Sequence, residues 1–249
     1  MTLKPELYDH YWQHGWVVVE NVFTPEEAEA AAQKALSICL AELAVEDEGQ
    51  ISHKIDRAED GAVAPRKLDQ PFLKDDVFQA LALDSRLTTL LCSFLDGRKP
   101  LLARDQILMK PPQFGSAKPY HQDNFYFRMQ PADQVITAWI AMDDVDERNG
   151  CLRYISGSHQ GGLVPHEPIP GEPFNLVPPP DQIDLHKEAV APVGKGGVVF
   201  HHGQILHTSH RNESERWRRG YATHWVTSEV TSESNTLDGA YFLREDYPR

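Results

Sequence analysis

Two residues with metal-binding side chains, His121 and Asp123, are separated by a single glutamine. If this segment is an extended strand, alternate side chains lie on the same side of it, so the imidazole and the carboxylate would point the same way. Two imidazoles and one carboxylate form the ligand set that holds non-haem Fe(II) and leaves open positions for oxygen chemistry. His-x-Asp also occurs by chance in solvated loops, and the third ligand must come from elsewhere in the chain.

The second half of the chain offers several candidates for that third ligand. Residues 197–219 contain four histidines, which are His201, His202, His207 and His210. Any of these imidazoles could bind the metal, and their spacing does not choose among them. All four are also compatible with structural histidines at the end of a strand.

Composition limits the class of protein and of partner. The chain has 249 residues, of which 41% are hydrophobic and 24% charged, as expected for one globular domain, residues 1–249, with a sizeable core. The formal net charge of −13 disfavours nucleic acid and anionic membranes as partners. We expect a small-molecule substrate and a monomer or homodimer.

Cysteine usage and the N-terminus bear on the compartment. Cys39, Cys92 and Cys151 lack the spacing of a metal finger, and their odd number fits thiols buried in a reducing compartment. The N-terminus has no basic start followed by an apolar run, so it predicts no signal peptide. The longest apolar stretch is too short to span a bilayer. A cytoplasmic protein is therefore expected.

Helix signals dominate about the first 100 residues. Thr24, Pro25 and Glu27 form a helix start, with Thr24 as N-cap and Glu27 completing a capping box. The elements expected in this part are a helix over 7–15, a strand over 16–23, a helix from 24 to about 43, a loop over 45–65, and one or two amphipathic helices over 74–95, with a possible break at 84–85.

Strand signals dominate about residues 101–230. The strands expected there are 103–110, 134–142, 150–155, 190–192, 197–200 and 219–226, and the proline-rich residues 161–184 suit a covering loop. Helices followed by about eight strands predict an α+β chain with a jelly-roll or cupin-like barrel core.

Several motifs, in this order, resemble the phytanoyl-CoA dioxygenase family. They are His121-Gln-Asp, Ala138-Trp-Ile-Ala-Met-Asp, Asn149-Gly-Cys-Leu, Ile155-Ser-Gly-Ser-His and Gly203-x-x-x-His-x-Ser-x-x-Asn-x-Ser, with an arginine eleven residues after His207. The resemblance implies a double-stranded β-helix fold with flanking N-terminal helices, and Fe(II) with 2-oxoglutarate and O2 as cosubstrates.

The resemblance also implies roles for individual residues. His121, Asp123 and His207 match the iron ligands, with His202 as the reserve ligand. Arg218 matches the arginine that binds the far carboxylate of 2-oxoglutarate. A guanidinium suits that role, because it stays charged and pairs with a carboxylate through two hydrogen bonds.

Further contacts to 2-oxoglutarate follow from the same resemblance. Ser209 and Trp139 match positions that line its site, and Thr137 shares strand parity with Trp139. Gln106 lies on the strand that matches one contributing a contact beside the cosubstrate. Lys67 lies in a segment similar to one whose lysine approaches 2-oxoglutarate.

The substrate side is less defined. Phe125, Tyr126, Phe127 and Arg128 follow the metal pair and, with residues 161–184, are candidates to line a substrate pocket. The function expected is hydroxylation of a small organic metabolite with release of succinate and CO2. The alternatives are a non-catalytic β-barrel that binds a small ligand, and a cupin-like metalloenzyme that does not use 2-oxoglutarate.

Overall fold

The computed structural model describes residues 2–45, 53–170 and 172–247. The α-helices in these residues are α1 (Pro5–His14), α2 (Pro25–Leu43), α3 (Asp76–Ala82), α4 (Ser85–Phe94) and α5 (Asp123–Phe127). Short 3-10 helices cover Pro71–Leu73, Ala132–Gln134, Ser158–Gly161, Pro180–Gln182, Leu185–Lys187, Asn235–Leu237 and Tyr241–Leu243. Of the helices in the described part of the chain, none has both the length and the apolar content needed to cross a membrane.

The strands in the same residues are β1 (Trp16–Val19), β2 (Ile55–Arg57), β3 (Val63–Pro65), β4 (Lys67–Asp69), β5 (Leu101–Lys110), β6 (Lys118–His121), β7 (Met129–Gln130), β8 (Ile136–Ala141), β9 (Leu152–Ile155), β10 (Glu167–Ile169), β11 (Glu172–Val177), β12 (Glu188–Ala191), β13 (Val198–His202), β14 (His207–Ser209), β15 (Arg218–Val226) and β16 (Thr231–Ser232).

Two antiparallel sheets form the core. The large sheet has six strands in the order β1-β13-β8-β15-β5-β4, and the small sheet has four in the order β12-β9-β14-β6. Side chains from both sheets, among them Trp139 and Val199 of the large one and Leu152 and Tyr154 of the small one, pack in one buried cluster. The sheets therefore face each other as in a jelly roll, without closing into a continuous barrel. The expected α+β fold with a double-stranded β-helix core is confirmed.

The outer face of the large sheet is covered by the N-terminal helices. Ile107, Phe200, Tyr221 and Trp225 point to this side and share a hydrophobic core with residues of α1 to α4. Asp105 lies on the same face, where its carboxylate accepts hydrogen bonds from the hydroxyls of Tyr221 and Tyr241 and from the Phe72 N–H. This polar network fastens the C-terminal segment to the sheet.

Local signals explain the helix boundaries. The Thr24 hydroxyl accepts from the Glu27 N–H at 3.2 Å, and the Glu27 carboxylate accepts from the Thr24 N–H at 2.8 Å, so the predicted capping box is confirmed. Helix α1 ends at Gly15, whose φ of 82° is the left-handed conformation that glycine adopts without steric cost. The predicted break between two helices near residues 84–85 is also confirmed.

Several expected elements differ from the observed ones. Strand β1 ends at Val19 rather than at residue 23, because Asn21 has a φ of 58° that an extended strand does not allow. Strand β8 covers Ile136–Ala141 rather than 134–142. The described part of the expected loop 45–65 contains the β2–β3 hairpin, and residues 46–52 lie outside the described residues. The proline-rich segment 161–184 contains the β10–β11 pair. Proline is tolerated there because both strands of a two-stranded sheet are edge strands.

The inner face of the large sheet collects the polar residues singled out above. Across the strands, Arg218 is paired with Lys110, Ala222 with both Gln106 and Trp139, and His224 with Thr137. Cross-strand partners lie on the same side of a sheet. The side chains singled out for metal or cosubstrate binding on these strands therefore point into the space between the two sheets.

Candidate metal centre

The three predicted metal ligands come from three different elements. His121 is the last residue of β6, Asp123 the first residue of α5, and His207 the first residue of β14. Strands β6 and β14 pair directly, with His207 opposite His121. Strand β6 ends at His121 and helix α5 begins at Asp123, but Gln122 between them is extended, with a φ of −118° and a ψ of 127°. The two side chains therefore converge, as expected for an extended segment.

The ligand atoms form a compact buried cluster. Oδ1 of Asp123 lies 3.6 Å from Nε2 of His121 and 3.7 Å from Nε2 of His207. One ligand atom from each of the three residues lies within 4.8 Å of the others, and all three residues are buried. Among the described residues this is the group of histidine, cysteine and carboxylate side chains compact enough to hold a metal ion.

Backbone carbonyls fix which ring nitrogen of each histidine faces the centre. Nδ1 of His121 donates to the Pro119 carbonyl at 2.9 Å, and Nδ1 of His207 donates to the Ile205 carbonyl at 3.1 Å. A carbonyl only accepts, so the proton must be on Nδ1 in both rings. Each Nε2 therefore presents a lone pair to the same point, as a metal-binding imidazole must.

The two oxygens of Asp123 have different surroundings. Oδ2 accepts hydrogen bonds from the Thr137 hydroxyl at 2.7 Å and from Nε2 of His201 at 3.0 Å. Oδ1 faces the two imidazole nitrogens instead. The hydrogen bonds hold the carboxylate in place and leave one oxygen to bind a cation.

Burial sets the protonation states of this group. Burial lowers the pKa of His207 to about 4 and, with the nearby His207, lowers the pKa of His121 well below its usual value. Burial opposes ionisation of Asp123, but His207 and the hydrogen bond from His201 outweigh it and leave its pKa well below the ordinary value. Two neutral imidazoles and one carboxylate are the donors that a divalent transition metal prefers.

His201 is a site residue whose role the sequence did not reveal. It accepts at Nδ1 from the Tyr154 hydroxyl at 2.9 Å and donates from Nε2 to Asp123, so it links the small sheet to the carboxylate. The reserve ligand His202 points the other way: its ring lies 5.0 Å from that of His159, and its Nδ1 accepts from the Gln204 N–H. His202 is therefore not part of the cluster.

His224 also contributes to the centre and was not expected there. Its Nδ1 lies 2.9 Å from the Thr137 hydroxyl. Because that hydroxyl gives its only proton to Asp123, Nδ1 of His224 must donate to it. The cross-strand pairing of His224 with Thr137 creates this contact, and pairing registers are not readable from one strand's sequence.

Arg218 lies on the inner face of β15 and is 2% exposed. Its guanidinium lies over the Trp139 ring, 4.7 Å from the centroid, and its Nε donates to the Gly150 carbonyl at 3.0 Å. No carboxylate within the described ranges forms an ion pair with it. Burial lowers the pKa of Arg218 to about 10, which still leaves it charged at neutral pH.

Arg219 points to the opposite face, because side chains alternate along a strand. Its Nε and Nη2 atoms bind the Asp143 carboxylate at 2.9 and 2.6 Å. The Glu29 carboxylate lies 3.8 Å from the same Nη2. Two adjacent arginines thus differ in kind, since one is fully paired and the other has no anionic partner in the described chain.

A glycine is required opposite Trp139. A Cβ at Gly220 would lie 1.8 Å from Cζ2 of Trp139. The indole therefore fits against bare backbone, and the face of its ring lies against the guanidinium of Arg218. The indole N–H of Trp139 is buried without a hydrogen-bond partner.

The remaining predicted cosubstrate residues are distributed over both sheets. Ser209 is buried on β14, two residues after His207. Gln106 is half-buried opposite Ala222. Lys67 lies farther out on the edge strand β4, where its ammonium binds Asp69 Oδ1 at 2.7 Å. Thr137 is at the metal ligands, bonded to Asp123.

The aromatic residues after the metal pair divide into two groups. The Tyr126 ring is 6.3 Å from that of His121, and the Phe127 ring is 4.9 Å from that of His224, so both lie beside the centre. Phe125 instead stacks on His166, with ring centroids 4.1 Å apart.

A cavity of about 400 Å³ adjoins this stack. The guanidinium of Arg128 lies 4.2 Å above the Phe125 ring and, with residues 163–166, lines the cavity. Gln122 connects residues 162–166, beside this cavity, to the segment that carries His121 and Asp123. Its side chain donates to the Gly162 carbonyl and accepts from the Val164 N–H, and its own N–H donates to Nε2 of His166.

Comparison with known proteins identifies the family to which this chain belongs. The sequence model of the family described as Phytanoyl-CoA dioxygenase (PhyH) matches residues 11–220. The chain belongs to the phytanoyl-CoA dioxygenase family. The metal cluster and Arg218 lie within the matched range.

Relatives cover most of the chain at moderate identity. "Phytanoyl-CoA dioxygenase domain-containing protein 1" from Mus musculus is 26% identical over 270 aligned residues, covering 92% of each protein. "Phytanoyl-CoA dioxygenase, peroxisomal" from Bos taurus is 27% identical over 254 aligned residues, covering 94% of this chain and 74% of the relative.

Solved structures share the fold. A non-heme monooxygenase, ThoJ in its apo form, superposes with a TM-score of 0.75 and 22% identity over 92% of this chain and 80% of its own. EvdO2 from Micromonospora carbonacea var. aurantiaca, complexed with 2-oxoglutarate, gives a TM-score of 0.68 and 21% identity over 94% of each chain. At such identities the similarity establishes the fold.

The choice of His207 over His202 as a ligand is directly testable. His207→Ala removes one of three protein ligands and is expected to weaken Fe(II) binding by at least about tenfold. His202→Ala, its matched control, should keep stoichiometric binding, because His202 lies on the other face of β13. For both variants the iron content is measured after anaerobic reconstitution, and thermal denaturation verifies that the variant is folded. Loss of iron in His202→Ala with retention in His207→Ala would reverse the assignment.

Proposed function

We propose that this protein is an Fe(II)- and 2-oxoglutarate-dependent oxygenase that hydroxylates a small organic molecule and releases succinate and CO2. One observation carries the proposal: a compact His121–Asp123–His207 cluster and a buried arginine without an anionic partner in the described chain face the same space between two sheets. Family membership supports this, as do structures of the same fold in complex with 2-oxoglutarate (EvdO2) or with Fe3+ and alpha ketoglutarate (the epimerase SnoN).

The residues present fit the iron. His121 and His207 would bind it through Nε2, and Asp123 through Oδ1, because these are the atoms left without a hydrogen-bonded partner at the point where the side chains meet. Three protein ligands on one side leave open positions on the other. Thr137 and His201 would keep Asp123 from rotating and binding through both oxygens.

The residues present also fit a keto acid with a second carboxylate. Arg218 would bind the far carboxylate, for which its buried guanidinium has free donors beyond the Nε–Gly150 bond. We assign Ser209, Trp139, Gln106 and Lys67 to the walls of this site, where the Trp139 ring contacts the guanidinium of Arg218.

When bound, iron, 2-oxoglutarate and O2 would together supply an oxidant for a C–H bond, with 2-oxoglutarate converted into succinate and CO2. The chain's own residues would hold these groups in place and shield them from water. The two sheets exclude water from the inner face, where Trp139 and Tyr154 are almost fully buried. Electrostatic contacts to bound anions are stronger in such a water-poor space.

The substrate would approach from the side of α5. Tyr126 and Phe127 lie beside the metal cluster, and Phe125 with Arg128 lines the adjoining cavity. Aromatic surfaces next to a guanidinium suit a small molecule with an apolar body and a polar or anionic handle. Cytoplasmic location and a monomeric or homodimeric state remain predictions.

Oxygen labelling tests the reaction class. Candidate metabolites are first scored by succinate release, and the best is then incubated with Fe(II), 2-oxoglutarate and labelled O2. We expect mass spectrometry to find one labelled oxygen in succinate and one in the hydroxylated product. A product formed without succinate, or one whose new oxygen comes only from water, would contradict the proposal.

The adjacent arginines provide a matched pair of variants. Arg218→Met should weaken 2-oxoglutarate binding by about tenfold to a hundredfold, because hydrogen bonds to a charged group contribute about 1.5–3 kcal/mol. The melting temperature of the ligand-free variant should stay the same or rise, since an unpaired buried charge is removed.

Arg219→Met should behave in the opposite way. It leaves the buried Asp143 carboxylate unpaired, which costs about 3–5 kcal/mol, so the melting temperature should fall clearly. The affinity of the folded protein for 2-oxoglutarate should change little. Calorimetric titration and thermal denaturation measure both quantities. Weak binding in Arg219→Met with normal binding in Arg218→Met would move the anchor to the other face.

A further inference from the structure

A second buried cation lies beside Arg218. Lys110 is the last residue of β5 and is paired across the strands with Arg218, so both side chains point to the inner face. Lys110 is 4% exposed, although lysine is rarely buried without a charged partner. Its ammonium donates to the carbonyls of Ser116 and Ser209, the second at 3.4 Å.

The two cationic side chains lie against one stretch of backbone. Arg218 donates from Nε to the Gly150 carbonyl. A Cβ placed on Gly150 would come within 3.1 Å of Lys110 Cδ and 3.3 Å of Cε, so the lysine side chain packs directly on this glycine. Lys110 also reaches β14 at Ser209, one of the residues assigned to the keto acid site.

No carboxylate among the described residues forms an ion pair with Lys110 or Arg218. The carboxylate that acts most on Lys110 is Asp56, but it accepts from the Ser116 N–H at 3.1 Å and lies 4.0 Å from Nε of Arg66. Burial, and then the proximity of Arg218, lower the pKa of Lys110 well below its ordinary value. The charged form of Lys110 is therefore disfavoured in this water-poor site unless an anion binds beside it and Arg218.

We propose that Lys110 is a second cationic group of the site for the distal carboxylate of the keto acid, and that it makes this site selective for a dicarboxylate. Lys110 acts as a positioning residue, since it donates to the Ser209 carbonyl and lies beside Arg218 on the neighbouring strand. The inference rests on the proposed function. It adds that selectivity between keto acids depends on two buried charges rather than on Arg218 alone.

The test compares two keto acids that differ by one carboxylate. Dissociation constants for 2-oxoglutarate and 2-oxopentanoate are measured by anaerobic calorimetry on the Fe(II)-loaded protein. Lys110→Gln keeps a hydrogen-bond donor for the two carbonyls but removes the charge. It should weaken 2-oxoglutarate binding by about tenfold and leave 2-oxopentanoate binding unchanged, because only the former carries a charge at that end. Lys195→Gln, which removes a half-buried lysine paired with Glu29, is the control and should change neither.

A purely structural lysine gives a different result. Equal weakening of both keto acids in Lys110→Gln, or no change in either, would overturn the inference. Lys110→Met repeats the test if the glutamine variant does not fold. The unmodified protein offers a check that needs no variant: with two cations it should bind 2-oxoglutarate at least about a hundredfold more tightly than 2-oxopentanoate, and a preference below about tenfold would also overturn the inference. Absence of any 2-oxoglutarate binding to the unmodified protein would instead contradict the proposed function.

Discussion

The charge buried between the two sheets is the constraint on which the rest of this structure depends. A guanidinium in a water-poor interior raises the free energy of the fold unless an anion pairs with it. Arg219 has such a partner in Asp143, whereas Arg218 has only a carbonyl and an aromatic face. The fold tolerates this because six strands and the helices behind them supply a large apolar core. Under the proposed function this unpaired charge is the site for an anion, and it is kept at the expense of stability, as is common where binding is the selected property.

The metal centre likewise contains polar atoms of buried residues without a hydrogen-bond partner, here two imidazole nitrogens and one carboxylate oxygen. Each imidazole uses Nδ1 to bind a backbone carbonyl, which leaves Nε2 to face Asp123. The Asp123 carboxylate divides its oxygens, one toward Thr137 and His201 and the other toward the imidazoles. The hydrogen bonds are all made by groups outside the cluster, so that the lone pairs inside it remain available to a cation.

Sequence patterns predicted much of this, and their failures have physical causes. Alternation along β15 correctly separated Arg218 from Arg219, and the capping box at Thr24 depends only on neighbouring residues. His121 and Asp123 converge as expected because Gln122 between them is extended, although the helix that starts at Asp123 was not predicted. Which of His201 and His202 faces the metal cluster depends on the register of β13 with β8. A shift of one residue would exchange their faces.

The central claim is that His121, Asp123, His207 and Arg218 form one site for Fe(II) and 2-oxoglutarate. The most direct measurement is the visible absorption of the anaerobic protein as 2-oxoglutarate is added to its Fe(II) form. The account predicts the weak charge-transfer band of a keto acid chelated to iron, saturating at one equivalent per chain and absent from Asp123→Ala. A protein that binds Fe(II) tightly and develops no band at saturating 2-oxoglutarate would contradict it.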